Sequence, residues 1–120
     1  MVWDLSNIFE QEGVTQYETT ENGWTFQLDG IPTKISIELT VDPLNKRYRY
    51  HRSHAIRSPV NPDWPYHPSL PFGETMEWAL RLAISSITMY YFASVEKGHA
   101  PSADWLVPLK EIGYRGEPEF

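Results

Sequence analysis

A cluster of cations, histidines and tyrosines at residues 46–57 contains the side chains best suited to chemistry in this sequence. The segment holds five of the ten Lys and Arg residues and two of the four histidines, in a chain of net charge −6. Both flanks are acidic: residues 1–45 carry eight carboxylates and the single cation Lys34, and residues 58–120 carry eight carboxylates and four cations. A cationic, aromatic segment between acidic flanks is suited to binding an anion or an acidic partner. We call residues 46–57 the basic segment.

If the basic segment is a β-strand, its side chains alternate between two faces. One face then carries Arg47, Arg49, His51 and Ser53, and the other carries Lys46, Tyr48, Tyr50, Arg52 and His54. Successive side chains on one face stand about 6.6 Å apart, close to the spacing of adjacent phosphates. Arginine donates two parallel hydrogen bonds to phosphate or carboxylate, and a tyrosine ring stacks on a base.

This pattern predicts an anion-binding surface that includes Arg47, Tyr48, Arg49, Tyr50, His51, Arg52 and Arg57. The alternative is that these cations pair with Glu18, Glu38 and Asp42 on the same sheet, which is the commoner fate of a charged strand face.

His51 and His54 form an H-x-x-H pair, a spacing that on a helix would place two zinc ligands together. On a strand, positions i and i+3 point to opposite faces, so a shared metal requires a bulge or a strand end before Ser53. Asp63 or His67 would then complete the site. Ser53 has no G-x-S-x-G surroundings, and His54 is expected to project away from it. The sequence therefore predicts no catalytic residue and no cofactor, and a metal-assisted hydrolase centred on His51 and His54 is only the third hypothesis.

The segment that follows the basic segment is rich in proline and presents aromatic side chains. Five prolines in residues 57–72 predict an extended connection without regular structure. Within it, Trp64, Tyr66 and His67 stand on a stiff backbone that loses little entropy on binding. Rigid aromatics are typical interface anchors, so Trp64 and Tyr66 are predicted to contact a partner. The alternative is that they fold onto the core as lids.

The elements that must position these residues follow from periodicity and turn chemistry. Residues 1–120 are expected to form one α+β domain, a four-stranded antiparallel meander with a short N-terminal helix and one long C-terminal helix packed on one sheet face. The predicted elements are a helix at 5–12, strands at 15–20, 24–28, 34–41 and in the basic segment, a helix at 73–97 ended by Gly98, and a poorly ordered tail at 111–120.

The long helix is predicted to be apolar over roughly two-thirds of its circumference, more than the ~100° needed to cover one sheet. Its central stripe would pack on the strand face formed by Ile35, Ile37, Leu39 and Val41. The remaining apolar arc needs a second cover, either the N-terminal helix with the Trp105 segment or a symmetric partner chain.

These observations favour a small non-enzymatic binding module, an oligomeric inhibitor or accessory protein that docks on another protein. The absence of cysteine, of signal-peptide features and of a membrane-spanning apolar run predicts a cytoplasmic protein that does not enter a membrane. The second hypothesis is an anion-binding module for nucleotide, phosphate or single-stranded nucleic acid, acting through the basic segment.

Overall fold

The structure, a computed structural model, describes residues 14–20, 23–44, 46–68 and 70–109. The predicted N-terminal helix at 5–12 and the predicted tail at 111–120 lie outside these residues. The elements in chain order are β1 (Val14–Thr19), β2 (Gly23–Leu28), β3 (Ile31–Val41), β4 (Tyr48–Arg52), β5 (His54–Ile56), β6 (Phe72–Gly73), α1 (Met76–Glu96), a 3₁₀ turn (Ala103–Trp105) and β7 (Leu106–Pro108).

The fold is α+β, with an antiparallel sheet in the order β1-β2-β3-β4-β6 and one long helix on one of its faces. The first four strands are consecutive neighbours, which confirms the predicted antiparallel meander. β6 adds a short fifth strand that the sequence did not indicate, pairing Phe72 with Arg49 and Gly73 with Tyr48. β5 and β7 form a separate two-stranded sheet.

The core lies between the sheet and α1. Ile35 and Ile37 of β3 are fully buried, and Phe26 and Leu28 of β2 lie beside them. The predicted inward face of β3 is correct for these isoleucines, but Val41 at the strand end is mostly exposed. β3 extends beyond the part that the helix covers, so strict alternation does not guarantee burial of the last residue of the strand.

Helix α1 begins later than predicted, because Thr75 is its N-cap and accepts a hydrogen bond from the Trp78 N–H at 3.1 Å. Threonine is a favoured N-cap residue because its hydroxyl satisfies one of the orphaned N–H groups of the first turn. At the other end Gly98 has φ +91°, the left-handed conformation predicted for it. The helix is therefore bounded by residues whose chemistry fits the two ends.

The proline-rich connection covers part of the second sector of α1, whereas the N-terminal helix predicted to cover it lies outside the described residues. Tyr66 of the proline-rich connection packs edge-on against Tyr90 with ring centroids 5.1 Å apart. Trp105 is buried as expected, but its ring lies 6.2 Å from that of Tyr91, on the core side of the helix. The proline-rich connection, rather than the Trp105 segment, thus covers part of the outer arc.

Candidate docking site on the proline-rich loop

The basic segment does not form one continuous strand. Its pairing with β3 ends at Arg52, Ser53 is a bend, and β5 then pairs with β7. The chain changes direction here because Ala55 and Ile56 are buried in the core, where Ile56 pairs with Leu106. The side-chain alternation predicted for residues 46–57 therefore holds only as far as Arg52.

Arg49 of β4, and Arg47 just before the strand, lie on the face of the sheet that turns away from α1. Both guanidinium carbons lie over the Phe72 ring, at 4.7 Å and 5.5 Å from its centroid. His51 follows on this face, and its Nε2 lies 3.0 Å from the hydroxyl of Thr40 on β3. The predicted row of Arg47, Arg49 and His51 is thus present, and cation–π contact with Phe72 holds the two arginine side chains near one another.

The face of β4 that turns towards α1 carries Tyr48, Tyr50 and Arg52. Tyr50 is buried in the core, Tyr48 is half-buried, and Arg52 is only 2% exposed. Tyr50 and Arg52 were predicted as ligand-binding residues; both are buried on this face of the sheet, opposite to Arg49 and His51. The row of cations and the tyrosine ring at position 50 therefore lie on opposite faces of the sheet.

The buried guanidinium of Arg52 joins the sheet to the helix and the loop. Its Nη1 donates to Ser86 Oγ at 3.1 Å, and the Ser86 hydroxyl donates in turn to the Ala83 carbonyl at 2.6 Å. Its Nη2 lies 3.3 Å from His67 Nδ1. A guanidinium only donates, so this nitrogen of His67 is the acceptor. Arg52 is a structural link rather than a surface cation.

His51 and His54 have different hydrogen-bond partners. His51 contacts Thr40, whereas His54 Nδ1 lies 2.7 Å from the Ser53 hydroxyl oxygen. The strand bends at Ser53, so His54 does not project away from that serine. The prediction that His54 points to the opposite face from Ser53 was therefore wrong. Among the residues that the structure describes, no group of three or more His, Asp or Glu side chains could hold a metal ion.

The Ser53–His54 contact lies at the bend between β4 and β5, beside the backbone of β3. The Ser53 hydroxyl oxygen accepts the Ser36 N–H at 2.7 Å and lies 2.7 Å from His54 Nδ1. Burial lowers the pKa of His54, because desolvation disfavours the imidazolium. The Ser53–His54 contact and the Ser36 N–H together fix the bend between β4 and β5.

The proline-rich connection is clamped at its base by one backbone carbonyl. Ile56 O accepts from the Asn61 side-chain Nδ2 at 2.9 Å and from the Tyr66 N–H at 2.9 Å. Asn61 Oδ1 also accepts from the N–H of Ser58 at 2.7 Å and from its hydroxyl at 2.6 Å. Residues 58–67, which we call the Trp64 loop, are thus fixed at two points five residues apart.

Between these two points the loop carries Trp64 outward. Its side chain is 79% exposed, whereas Tyr66, two residues later, is half-buried against Tyr90. No cis peptide bond occurs in the described residues, so the bond before Pro65 is trans. The two predicted anchors therefore have different roles: Tyr66 is a lid on the helix, and Trp64 projects into solvent. Arg57, just before the loop, is exposed and donates its N–H to Trp105 O at 2.7 Å.

A depression of about 330 Å³ opens beside Trp64 and is bounded by the loop and the helix. We call it the loop depression; its lining residues are Val60, Asn61, Pro62, Asp63, Trp64, Pro65, Tyr66, His67 and Tyr90. Its volume is at the lower end of the range for small-ligand pockets, enough for one or two side chains of a partner.

Sequence reasoning missed the residues that hold this site in place. Ser58 and Asn61 directly precede Pro59 and Pro62, and Ser or Asn before Pro is a signal for a local side-chain-to-backbone turn. The sequence therefore contained a local signal for the turn in which Asn61 binds Ser58. Nothing in it indicated that Ile56, from another element, would supply the shared acceptor.

No protein-family model, curated protein or solved structure matches this chain. Among the described residues, no helix combines the length and apolar character needed to cross a bilayer.

Proposed function

We propose that the protein is a non-enzymatic binding module that docks on another protein through the Trp64 loop. The observation that supports this most strongly is the 79% exposure of Trp64 on a loop clamped by Ile56, Asn61 and Tyr66. An exposed tryptophan costs solvation free energy in the isolated chain, and one held in place loses little entropy when it is buried by a partner.

Tryptophan is among the residues that contribute most to protein interfaces. Truncating such an anchor to alanine commonly costs about 2 kcal/mol or more of binding free energy. Trp64 sits on a short span flanked by Pro62 and Pro65, whose fixed φ angles restrict the backbone. The loop is therefore pre-organised, and most of the free energy gained on burying the indole is available for affinity.

The chemistry of the site restricts the kind of partner. A partner suited to it presents an apolar pocket for Trp64 and a small apolar group that enters the loop depression beside the Tyr66–Tyr90 pair. Asp63, beside Trp64, is exposed, and the chain has a net charge of −6. A basic surface around the partner's pocket would therefore speed association and fix its orientation. This chain would then act as a small acidic inhibitor or accessory protein of the cytoplasm.

The test is affinity capture with the purified full-length chain in lysate of its host, comparing three variants with the wild type. Trp64→Ala should lose a captured protein at least tenfold. Leu44→Ala removes a 92% exposed apolar side chain from the turn after β3 and should keep it. Capture that is lost equally with Leu44→Ala would refute docking through the loop.

The double variant Arg47→Ala/Arg49→Ala separates this proposal from anion binding. These arginines lie on the sheet face opposite to α1, whereas Tyr66 of the loop packs on α1. The double variant should therefore retain the partner. If it loses the partner, and Trp64→Ala keeps it, the anion-binding hypothesis replaces the proposal.

A further inference from the structure

Three aromatic side chains line the loop depression. Trp64 and Tyr66 come from the Trp64 loop, and Tyr90 comes from α1. The rings of Tyr66 and Tyr90 are inclined at 60° with their centroids 5.1 Å apart, so they form two walls that are not parallel. Trp64 is 79% exposed, so most of the surface of its side chain is open to a ligand. The depression is therefore bounded by aromatic surface from two separate elements.

The charge around the depression is negative. The Asp63 carboxylate lines it, and none of the described lining residues is Lys or Arg. Arg52 contacts His67, which also lines the depression, but Arg52 itself is 2% exposed and is not part of the lining. The faces of aromatic rings carry negative potential, and the whole chain has a net charge of −6. The aromatic rings, the carboxylate and the net charge thus all favour a cation.

The Asp63 carboxylate distinguishes a cationic occupant from an uncharged apolar one. An apolar group seated beside it would remove water from the carboxylate and give nothing in return. A cation replaces that water with Coulomb attraction, and it gains cation–π contact with rings that lie within about 6 Å. A quaternary ammonium suits aromatic walls best, because it has no N–H group that would be left without an acceptor. Its methyl groups also make it the small group with an apolar surface that the docking site requires.

We propose that the loop depression binds a quaternary ammonium group through cation–π contact with Trp64, Tyr66 and Tyr90 and through attraction to Asp63. The volume of about 330 Å³ is sufficient for this group and the chain that carries it. The group can belong to a trimethylated lysine of the docking partner or to a free molecule such as choline, which share the trimethylammonium head. The site extends the proposed docking function without depending on it, because a free molecule can bind to the isolated chain.

The experiment is an NMR titration of the isotopically labelled full-length chain with choline chloride and, separately, with neohexyl alcohol. Neohexyl alcohol has the shape of choline, but a carbon atom replaces the charged nitrogen. Choline should bind at least fivefold more tightly, with the largest shifts at the Trp64 indole N–H and the Tyr66 amide. Sodium chloride at the same concentrations should not produce these shifts. Equal affinity for the two molecules, or no saturable shift with choline, would overturn the proposal.

Variants test which side chains recognise the charge. Trp64→Leu keeps an apolar side chain but removes the aromatic face, so it should weaken choline binding at least fivefold and leave the binding of neohexyl alcohol within twofold. Asp63→Asn should weaken choline binding at least threefold. Asp104→Asn removes the same charge from an exposed residue outside the lining and should change the affinity by less than twofold. Equal losses in the two aspartate variants would contradict a local site, and unchanged circular dichroism of each variant excludes unfolding as the cause.

Saturating choline, added to the affinity capture described above, distinguishes the two sources of the group. Release of the captured protein assigns the group to a methylated lysine of the partner, whereas retention assigns it to a free molecule. The two proposals also fail separately. A chain that prefers choline but captures no protein contradicts docking alone. A chain that captures a protein through Trp64 but does not prefer choline to neohexyl alcohol contradicts the ammonium site alone.

Discussion

Replacing Asn61 by alanine should weaken the attachment of the Trp64 loop to the body of the protein. The amide of Asn61 makes three hydrogen bonds, two to Ser58 and one to Ile56 O. The N–H of Ser58 lies in a residue only 2% exposed, so its loss of a partner is costly. Ile56 O keeps the Tyr66 N–H and is not orphaned.

The magnitude follows from these three bonds. An orphaned buried N–H costs about 1–3 kcal/mol, and each of the two other bonds contributes about 0.5–1.5 kcal/mol. Water can reach this surface loop and replace part of the loss, so we expect a fall of about 2–3 kcal/mol in the free energy of unfolding. At roughly 4 °C per kcal/mol for a chain of this length, the melting temperature should drop by about 10 °C.

Urea denaturation of wild type and Asn61→Ala measures this change, with Asp63→Ala as the matched control in the same loop. Asp63 is exposed, so its variant should stay within about 0.5 kcal/mol of wild type. Hydrogen exchange at the Tyr66 amide should also accelerate in Asn61→Ala alone. A loss below about 0.5 kcal/mol for Asn61→Ala, or an equal loss for Asp63→Ala, would refute the clamp.

Two further outcomes concern the body of the fold. Gly73→Ala should lower the free energy of unfolding by about 1–3 kcal/mol in urea denaturation, because a Cβ at this residue collides with the backbone nitrogen of Ala79. A variant as stable as wild type would contradict the close approach of β6 to α1. The free energy of unfolding should fall as pH drops below the ordinary His value of 6.5, because the lowered pKa of His54 makes the unfolded chain bind its proton more readily. His54→Gln should flatten this pH dependence, and an unchanged slope would contradict the effect of burial on His54.

The sheet and the long helix could be predicted because their signals are local. Ile35 and Ile37 alternate with polar residues, and Gly98 ends the helix with the conformation that glycine adopts most easily. The break at Ser53 could not be predicted, because no Gly or Pro marks it. It depends on Ile56 pairing with Leu106, fifty residues away.

The sequence pointed to the aromatic residues of the candidate site but not to which of them is exposed. Trp64 and Tyr66 are both aromatic and two residues apart, and the sequence gives no reason to separate them. The position of Tyr90 decides that Tyr66 is covered and Trp64 is not. Arg52 was assigned to the face of Tyr48 and Tyr50, yet its burial was missed because its partner Ser86 comes from a distant helix.

Docking through the Trp64 loop is tested most directly by a photo-crosslinking amino acid at that position in living host cells. Trp64→p-benzoylphenylalanine keeps a large aromatic side chain at the tip of the clamped loop, and the same substitution of Leu44 is the exposed control. We predict one dominant crosslinked protein from position 64 that is absent from position 44. The same crosslinks from both positions, or none from position 64, would contradict the proposal.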